Sequence, residues 1–344
     1  MRTALLTLLL ILGAGGLQPP VLAVDGGRDP QRDGAMTIYP LAHGGRERTY
    51  GLYLPKGYDP GRPHALLLAL HGGTGSARKW PPYTDNGFER LADQDQFLLV
   101  YPEGVDGQWN DRRGVQDFVA HRENVDDLGF LAALLDSLVA RYPVDQDRIY
   151  VAGASNGGMM AHYVGSELGD RVAAMAAVIA AIPERLLPLL QPKAPLPVLM
   201  INGSDDPLVR WQGGVVRFAG RETGTVIPVE ETVRFWLQHN GISQPPLVTE
   251  LPDRDPADGT RVVQHLYSGG RDKSEVVLYQ VQGGGHTWPA FHDPRGLLMR
   301  LVVDEMVGTK SRDIDACQLI WAFFKAHPKA RPSRGDGSGQ ASSP

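Results

Sequence analysis

The chain has 344 residues, 42% of them hydrophobic and 21% charged, with a formal net charge of −5. That length and apolar content suit one large α/β domain or two small ones with a substantial core. The slightly acidic balance gives no electrostatic basis for binding nucleic acid or an anionic membrane surface.

The first segment reads as a processing signal. Met1-Arg2 supplies a positive start, residues 5–12 are a short apolar run, and Val21-Leu22-Ala23 offers acceptable residues at the two cleavage-determining positions. This predicts a secretory signal peptide over 1–23, cut after Ala23, and a secreted (extracellular or periplasmic) protein. The run is too short to span a bilayer. An uncleaved N-terminal anchor is the alternative. A lipid anchor is not expected, because no cysteine follows the run; the only cysteine is Cys317. An exported chain with one cysteine forms no internal disulfide. Cys317 lies in a helix-periodic stretch and reads as a small buried hydrophobe.

Residues 24–35 read as a flexible leader. Residues 48–54 alternate well enough for an edge strand, and 65–70 are continuously apolar, as in a strand covered on both faces. That run stops at His71-Gly72-Gly73-Thr74-Gly75. A helix follows over 88–94, then a buried strand over 97–101. Asp126 and Asp127 precede an amphipathic helix from Leu128 and read as groups that cap and complement its N-terminus. Residues 147–152 form a strand and a helix begins near Gly158. Residues 172–181 read as a strand and 183–197 as a Pro- and Leu-rich cap over the sheet edge. A strand over 198–201 stops at Asn202-Gly203. Residues 229–239 read as a helix, 261–267 and 275–281 as late strands, and 313–327 as a closing helix. The tail, 329–344, reads as disordered. Alternating strands and helices predict a mostly parallel central sheet with helices on both faces. No linker divides the chain, so 36–328 is expected to be one catalytic domain.

The chemistry is concentrated in Gly153-Ala154-Ser155-Asn156-Gly157. This is G-x-S-x-G between a buried strand and a helix. A serine on so tight a turn is pushed out of the sheet, and the flanking positions must be glycine because a side chain there would strike the neighbouring strand and helix. A serine hydroxyl is a weak nucleophile and needs a histidine, a carboxylate that orients it, and donors for the oxyanion. In this class of sheet the chain order is serine, acid, histidine. For the acid, Asp205 and Asp206 compete in the turn after 198–201, with Asp206 favoured before Pro207. A plain turn with capping aspartates is the bland alternative. For the base, most of the ten histidines precede the acid or fall inside predicted elements. His286, in Gly284-Gly285-His286-Thr287-Trp288, follows a strand and is favoured, with His292 in reserve. For the oxyanion, the Asn156 N–H is one expected donor. The second comes from the glycine loop, at Gly73 with Thr74 close behind. That loop lacks a Walker lysine, so a phosphate cradle is disfavoured. No H-E-x-x-H or Cys/His cluster points to a metal, and no cofactor is expected.

These segments resemble secreted α/β-hydrolase esterases of the polyhydroxybutyrate depolymerase, feruloyl esterase and acetyl xylan esterase group. The pieces are Leu70-His71-Gly72-Gly73, Tyr101-Pro102-Glu103-Gly104, Trp109-Asn110-Asp111, the Ser155 elbow, Gly203-Ser204-Asp205-Asp206-Pro207 and Gly284-Gly285-His286-Thr287-Trp288-Pro289. They run in the family's order from about Arg48 to about His327. The resemblance implies an α/β-hydrolase fold, Ser155 as nucleophile, Asp206 as acid and His286 as base. It places Trp109 and Trp288 in loops near the pocket, either stacking on an aromatic acyl group or sugar or packing loops over the core. Many relatives carry a cysteine where Gly73 stands. Without an obvious polymer-binding module, the expected substrates are soluble or oligomeric: feruloyl or acetyl esters of plant polysaccharide, or hydroxyalkanoate oligomers, hydrolysed by a monomer. The alternatives are a peptidase or acyltransferase using the same residues, and a non-catalytic binding protein on the same scaffold.

Overall fold

The computed structural model describes residues 34–218, 220–292 and 304–329. The expected signal at 1–23, the leader up to residue 33 and the tail from residue 330 lie outside the described residues. In chain order the elements are β1 (Met36–His43), β2 (Arg46–Tyr53), β3 (His64–Leu70), α1 (Trp80–Tyr83), α2 (Gly87–Asp95), β4 (Leu98–Pro102), α3 (Val119–Arg122), α4 (Asp127–Arg141), β5 (Val144–Ala154), α5 (Asn156–Glu167), β6 (Ala174–Val178), β7 (Val198–Gly203), β8 (Gly214–Phe218), β9 (Arg221–Val226), α6 (Val229–Asn240), β10 (Leu247–Glu250), β11 (Arg261–Tyr267), β12 (Val276–Gln282) and α7 (Ala316–Ala326).

The main sheet has the order β1-β2-β4-β3-β5-β6-β7-β12-β11-β10. Its centre, from β4 through β12, is parallel. Antiparallel strands finish both ends. The unbroken apolar run of β3 follows from this position. Leu66, Leu68 and Leu70 enter one core with Phe130, Leu134, Met159 and Trp236 from α4, α5 and α6. Ala65, Leu67 and Ala69 enter the other with Phe88 of α2 and Trp321 and Phe324 of α7. Two buried faces leave the strand no polar side.

Several expectations change. The strand read as an edge, β2, is interior, because β1 pairs outside it. β1 carries Pro40 opposite Thr49, and a residue without an N–H is tolerated on the outermost strand. The strand read over 172–181 is cut to Ala174–Val178, since Ile179 turns out of the sheet with φ +49°. The closing helix starts at Ala316, where Asp315 accepts from the Gln318 N–H at 2.9 Å and caps it. The stretch 183–197 puts Leu186 and Leu190 against Ile182 and Ile227 instead of closing a sheet edge. The β8–β9 hairpin, which follows the candidate acid, was not anticipated.

Asp126 caps α4 as expected, accepting from the Gly129 N–H at 2.9 Å. Asp127 does more than complement the helix. It is buried, 2.6 Å from the Arg48 guanidinium, and accepts from the Asn110 N–H at 2.7 Å. Arg48 also lies 4.0 Å over the Phe130 ring. Burial pushes the Asp127 carboxyl up, against the pull of Arg48 and the Asn110 amide. This ion pair ties β2 to α4 and to the loop that carries Trp109.

His162, on α5, is wholly buried and accepts from the Trp236 indole N–H at 3.0 Å. Burial pushes its pKa from 6.5 down to about 3. Between those values the unfolded chain takes up a proton that the folded chain refuses. Stability is therefore full above about pH 6.5 and is lost as pH falls toward 3, at up to about 1.4 kcal/mol per pH unit. His162→Gln keeps an acceptor for Trp236 and removes the titration. Urea midpoints measured from pH 7 to pH 4 are expected to fall less steeply in this variant than in the wild type. Equal slopes would assign the acid sensitivity elsewhere.

Candidate active site

Parallel strands deliver their C-terminal ends to one edge of the sheet, and there the candidate residues meet. β3 ends in the glycine loop, β5 in Ser155, β7 in the acid loop and β12 in the histidine loop. Ser155 has φ +52° and ψ −120°, a strained backbone for a residue with a side chain. Its N–H donates to Val178 O at 2.9 Å and its carbonyl accepts from Met159 N at 2.8 Å. The turn is tight because its neighbours come close. A Cβ on Gly157 would lie 2.2 Å from Leu70 O, and one on Gly153 would lie 2.2 Å from Gly157 O.

The Ser155 hydroxyl lies 2.9 Å from His286 Nε2. Asp206 Oδ2 lies 2.7 Å from His286 Nδ1. The other Asp206 oxygen accepts from the Leu208 and Val209 N–H groups, each at 2.8 Å. The two side chains are 9% and 1% exposed, so water competes little for these bonds. Asp205 points away and accepts from the Ser204 hydroxyl at 2.6 Å. His292 is exposed. The acid and base loops are laced together: Asp205 N–H donates to Gly284 O at 3.0 Å, and Gly283 N–H donates to the Ser204 hydroxyl at 2.9 Å. A Cβ on Gly203 would lie 2.2 Å from Gly284 O. Chemically, such a chain lets an imidazole take a proton from a hydroxyl while a carboxylate holds the ring.

Gly73 and Asn156, the two candidate backbone donors, line the same cavity as Ser155. Asn156 is the first residue of α5, so its N–H has no acceptor within the helix, and the helix dipole adds partial positive charge there. In the glycine loop Thr74 donates to Gly107 O at 2.8 Å and Gly75 to Gly72 O at 3.0 Å, which favours Gly73 over Thr74 as the second donor. His71 stiffens this loop. Its Nε2 accepts from the Gly104 N–H at 3.0 Å, so Nδ1 carries the proton and donates to Gly72 O at 2.7 Å. Burial lowers the His71 pKa and keeps this ring neutral.

Trp109 takes the second of its two expected places, packing a loop over the core, and is not a substrate-binding residue of the cavity. It is fully buried, away from the cavity, and its indole N–H donates to His71 O at 2.9 Å. The Asn156 side chain grips its backbone: Oδ1 accepts from Trp109 N at 2.8 Å and Nδ2 donates to Trp109 O at 3.0 Å. Asn156 Nδ2 also donates to Asp111 at 2.6 Å, and Asp111 pairs with Arg113 at 2.8 Å. Trp109 therefore joins α5 to the glycine loop. Trp288 lines the cavity but is nearly all buried, packed edge-on to Trp80 with centroids 5.5 Å apart.

The cavity beside Ser155 has a volume of about 540 Å³. Trp80, Tyr83, Phe118 and Trp288 form much of its wall, with Val216 and Phe218 contributed by the β8–β9 hairpin. Gln108, Arg113 and this hairpin were missed in the sequence. Glycines near the turns and the β-branched Val215, Val216, Thr223, Thr225 and Val226 were the available hairpin signal. Nothing local marks Gln108. Among the described residues, no cluster of side chains is suited to hold a metal ion.

A family model described as "Putative esterase" matches residues 42–218. The chain belongs to this esterase family. It is 30% identical over 300 residues to "Putative esterase NocK" of Nocardia uniformis subsp. tsuyamanensis, with 84% of each chain covered. It is 24% identical over 234 residues to "Feruloyl esterase B" of Piromyces equi, covering 67% of this chain and 41% of that relative. It is 25% identical over 264 residues to "Poly(3-hydroxyalkanoate) depolymerase C" of Paucimonas lemoignei, covering 69% and 58%. The chain is thus an esterase, a carboxylic ester hydrolase, with the α/β-hydrolase architecture.

The Asn156 side chain offers a test of how this esterase holds its loops. Asn156→Ala keeps the backbone N–H but leaves buried polar groups of Trp109 and Asp111 without that partner, at about 1–3 kcal/mol for each group left unsatisfied. A lowered thermal midpoint and an esterase kcat/KM reduced at least about tenfold are expected. Unchanged values of both would show that the grip on Trp109 is dispensable.

Proposed function

We propose that this esterase works through an acyl-enzyme on Ser155. The observation that carries the reading is the unbroken hydrogen-bonded chain from Ser155 through His286 to Asp206. Ser155 Oγ attacks the ester carbonyl carbon while His286 Nε2 takes its proton. The Gly73 and Asn156 N–H groups receive the developing oxyanion, each worth about 3 kcal/mol to the barrier. The carbonyl–alkoxy bond breaks and the alcohol leaves with the proton from His286. Water then attacks the acyl carbon, again with His286 as base, and frees the acid and Ser155. Asp206 holds the ring and stabilises its charged form.

The aromatic wall supports esters with an aromatic acyl group, and relatives named for feruloyl esters and for poly(3-hydroxyalkanoate) support feruloyl or hydroxyalkanoate esters as the substrate class. The positive start and apolar run of residues 1–23 support export as part of this reading.

A fluorophosphonate probe is expected to label the wild type and not Ser155→Ala; equal labelling would defeat the mechanism. His286→Ala is expected to lower kcat on a nitrophenyl ester by a factor on the order of 10⁴ or more. In a panel of feruloyl, acetyl-xylan, short nitrophenyl and hydroxybutyrate-oligomer esters, feruloyl esters are expected to give the highest kcat/KM. N-terminal sequencing of exported protein is expected to begin at Val24, and recovery of Met1 would count against cleavage.

A further inference from the structure

Gln108 presents a feature that the hydrolytic mechanism does not use. It is 6% exposed and lines the same cavity as Ser155. Its Oε1 is buried and has no hydrogen-bond partner among the described residues. A Cβ added to Gly73 would lie 3.1 Å from Gln108 Nε2 and 3.2 Å from Oε1, so the amide rests against the residue proposed to bind the oxyanion. The loop is fixed on both sides. Gln108 N–H donates to Val105 O at 3.1 Å, and the Trp109 backbone is gripped by Asn156. A buried amide oxygen without a partner costs free energy, commonly about 1–3 kcal/mol. A substrate hydroxyl recovers that cost once the amide turns this oxygen toward the cavity.

We infer that Gln108 is a specificity-determining residue that reads a hydroxyl close to the scissile carbonyl. This rests on Ser155 as nucleophile and Gly73 as oxyanion donor, which fix where that carbonyl sits. Contact with Gly73 limits the reach of the amide to groups a few bonds from the ester. The matching chemistry is an ester with a hydroxyl two or three bonds from the carbonyl or from the ester oxygen. The hydroxyl belongs either to the acyl chain or to the alcohol, as in the monoester of a vicinal diol. An apolar residue of similar length would accept both the hydroxylated ester and its unsubstituted analogue, whereas a site with a waiting acceptor discriminates between them.

The test uses Gln108→Met, which keeps length and approximate volume and removes the amide. Two ester pairs are compared by kcat/KM: methyl 3-hydroxybutyrate against methyl butyrate for the acyl side, and 2-hydroxyethyl butyrate against propyl butyrate for the alcohol side. The wild type is expected to prefer the hydroxylated member of one pair by about tenfold, and Gln108→Met to lose that preference through a larger fall in kcat/KM on the hydroxylated ester than on its analogue. The pair that responds identifies which side of the ester carries the hydroxyl. No change in either ratio, or an equal loss on all four esters, would overturn the proposal and leave Gln108 a packing residue of the glycine loop. Fluorophosphonate labelling of both proteins separates this from a failure of the mechanism. Label on the wild type that Ser155→Ala abolishes keeps the two questions distinct, and label that persists in Ser155→Ala would overturn both.

Discussion

Close backbone approach at the end of β5 governs the site. Gly157 lies against the carbonyls of Leu70 and His71, and Gly153 against Gly157 itself. With no room for a Cβ, α5 can start directly at the sheet edge, and Ser155 is held at φ +52°. A strained residue persists only when its surroundings over-determine it. Here the bonds to Val178 and Met159 and the packing of α5 supply that constraint. The same approach brings the glycine loop after β3 within reach of the helix N-terminus, so Ser155 and the glycine loop are placed by one contact.

Sheet order does the rest of the assembly. β3 and β5 are neighbours, and β7 and β12 are neighbours one strand beyond β6. Residues separated by 131 positions in sequence, Ser155 and His286, meet because their strands point the same way and end on the same edge. The lacing of the Ser204–Asp205 loop to the Gly283–Gly284 loop then sets the distance from carboxylate to imidazole. A second set of buried contacts, from Arg48 through Asp127 to Asn110 and from Asp111 through Asn156 to Trp109, anchors the long connection between β4 and α4 against α5.

Sequence reading reached the parts of the site that obey local rules. The elbow was legible because strand, glycine, serine and helix follow one another within a few residues. Asp206 and His286 were legible because chain order restricts the search and each follows a strand. The same reading left Trp109 between two places, since an aromatic in a loop gives no sign of whether its ring faces a ligand or the core. It took β2 for an edge because β1, interrupted by Pro40 and followed by Gly44-Gly45, has weak periodicity. It passed over the β8–β9 hairpin, whose residues are largely exposed and leave little apolar alternation.

By itself the sequence determined the alternation of strands and helices, the turn at Ser155 and the chain order of the three polar side chains. The first two rest on contacts between residues near in sequence, and the third is the order of the chain itself. Tertiary structure decided which aspartate turns inward, which N–H of the glycine loop is already engaged, that Trp109 is a strut, and that Gln108 lines the cavity with a buried amide oxygen unpaired among the described residues. Those outcomes depend on groups that are distant along the chain and adjacent in space, and hydrogen bonding is satisfied or left open only after the strands have found their neighbours.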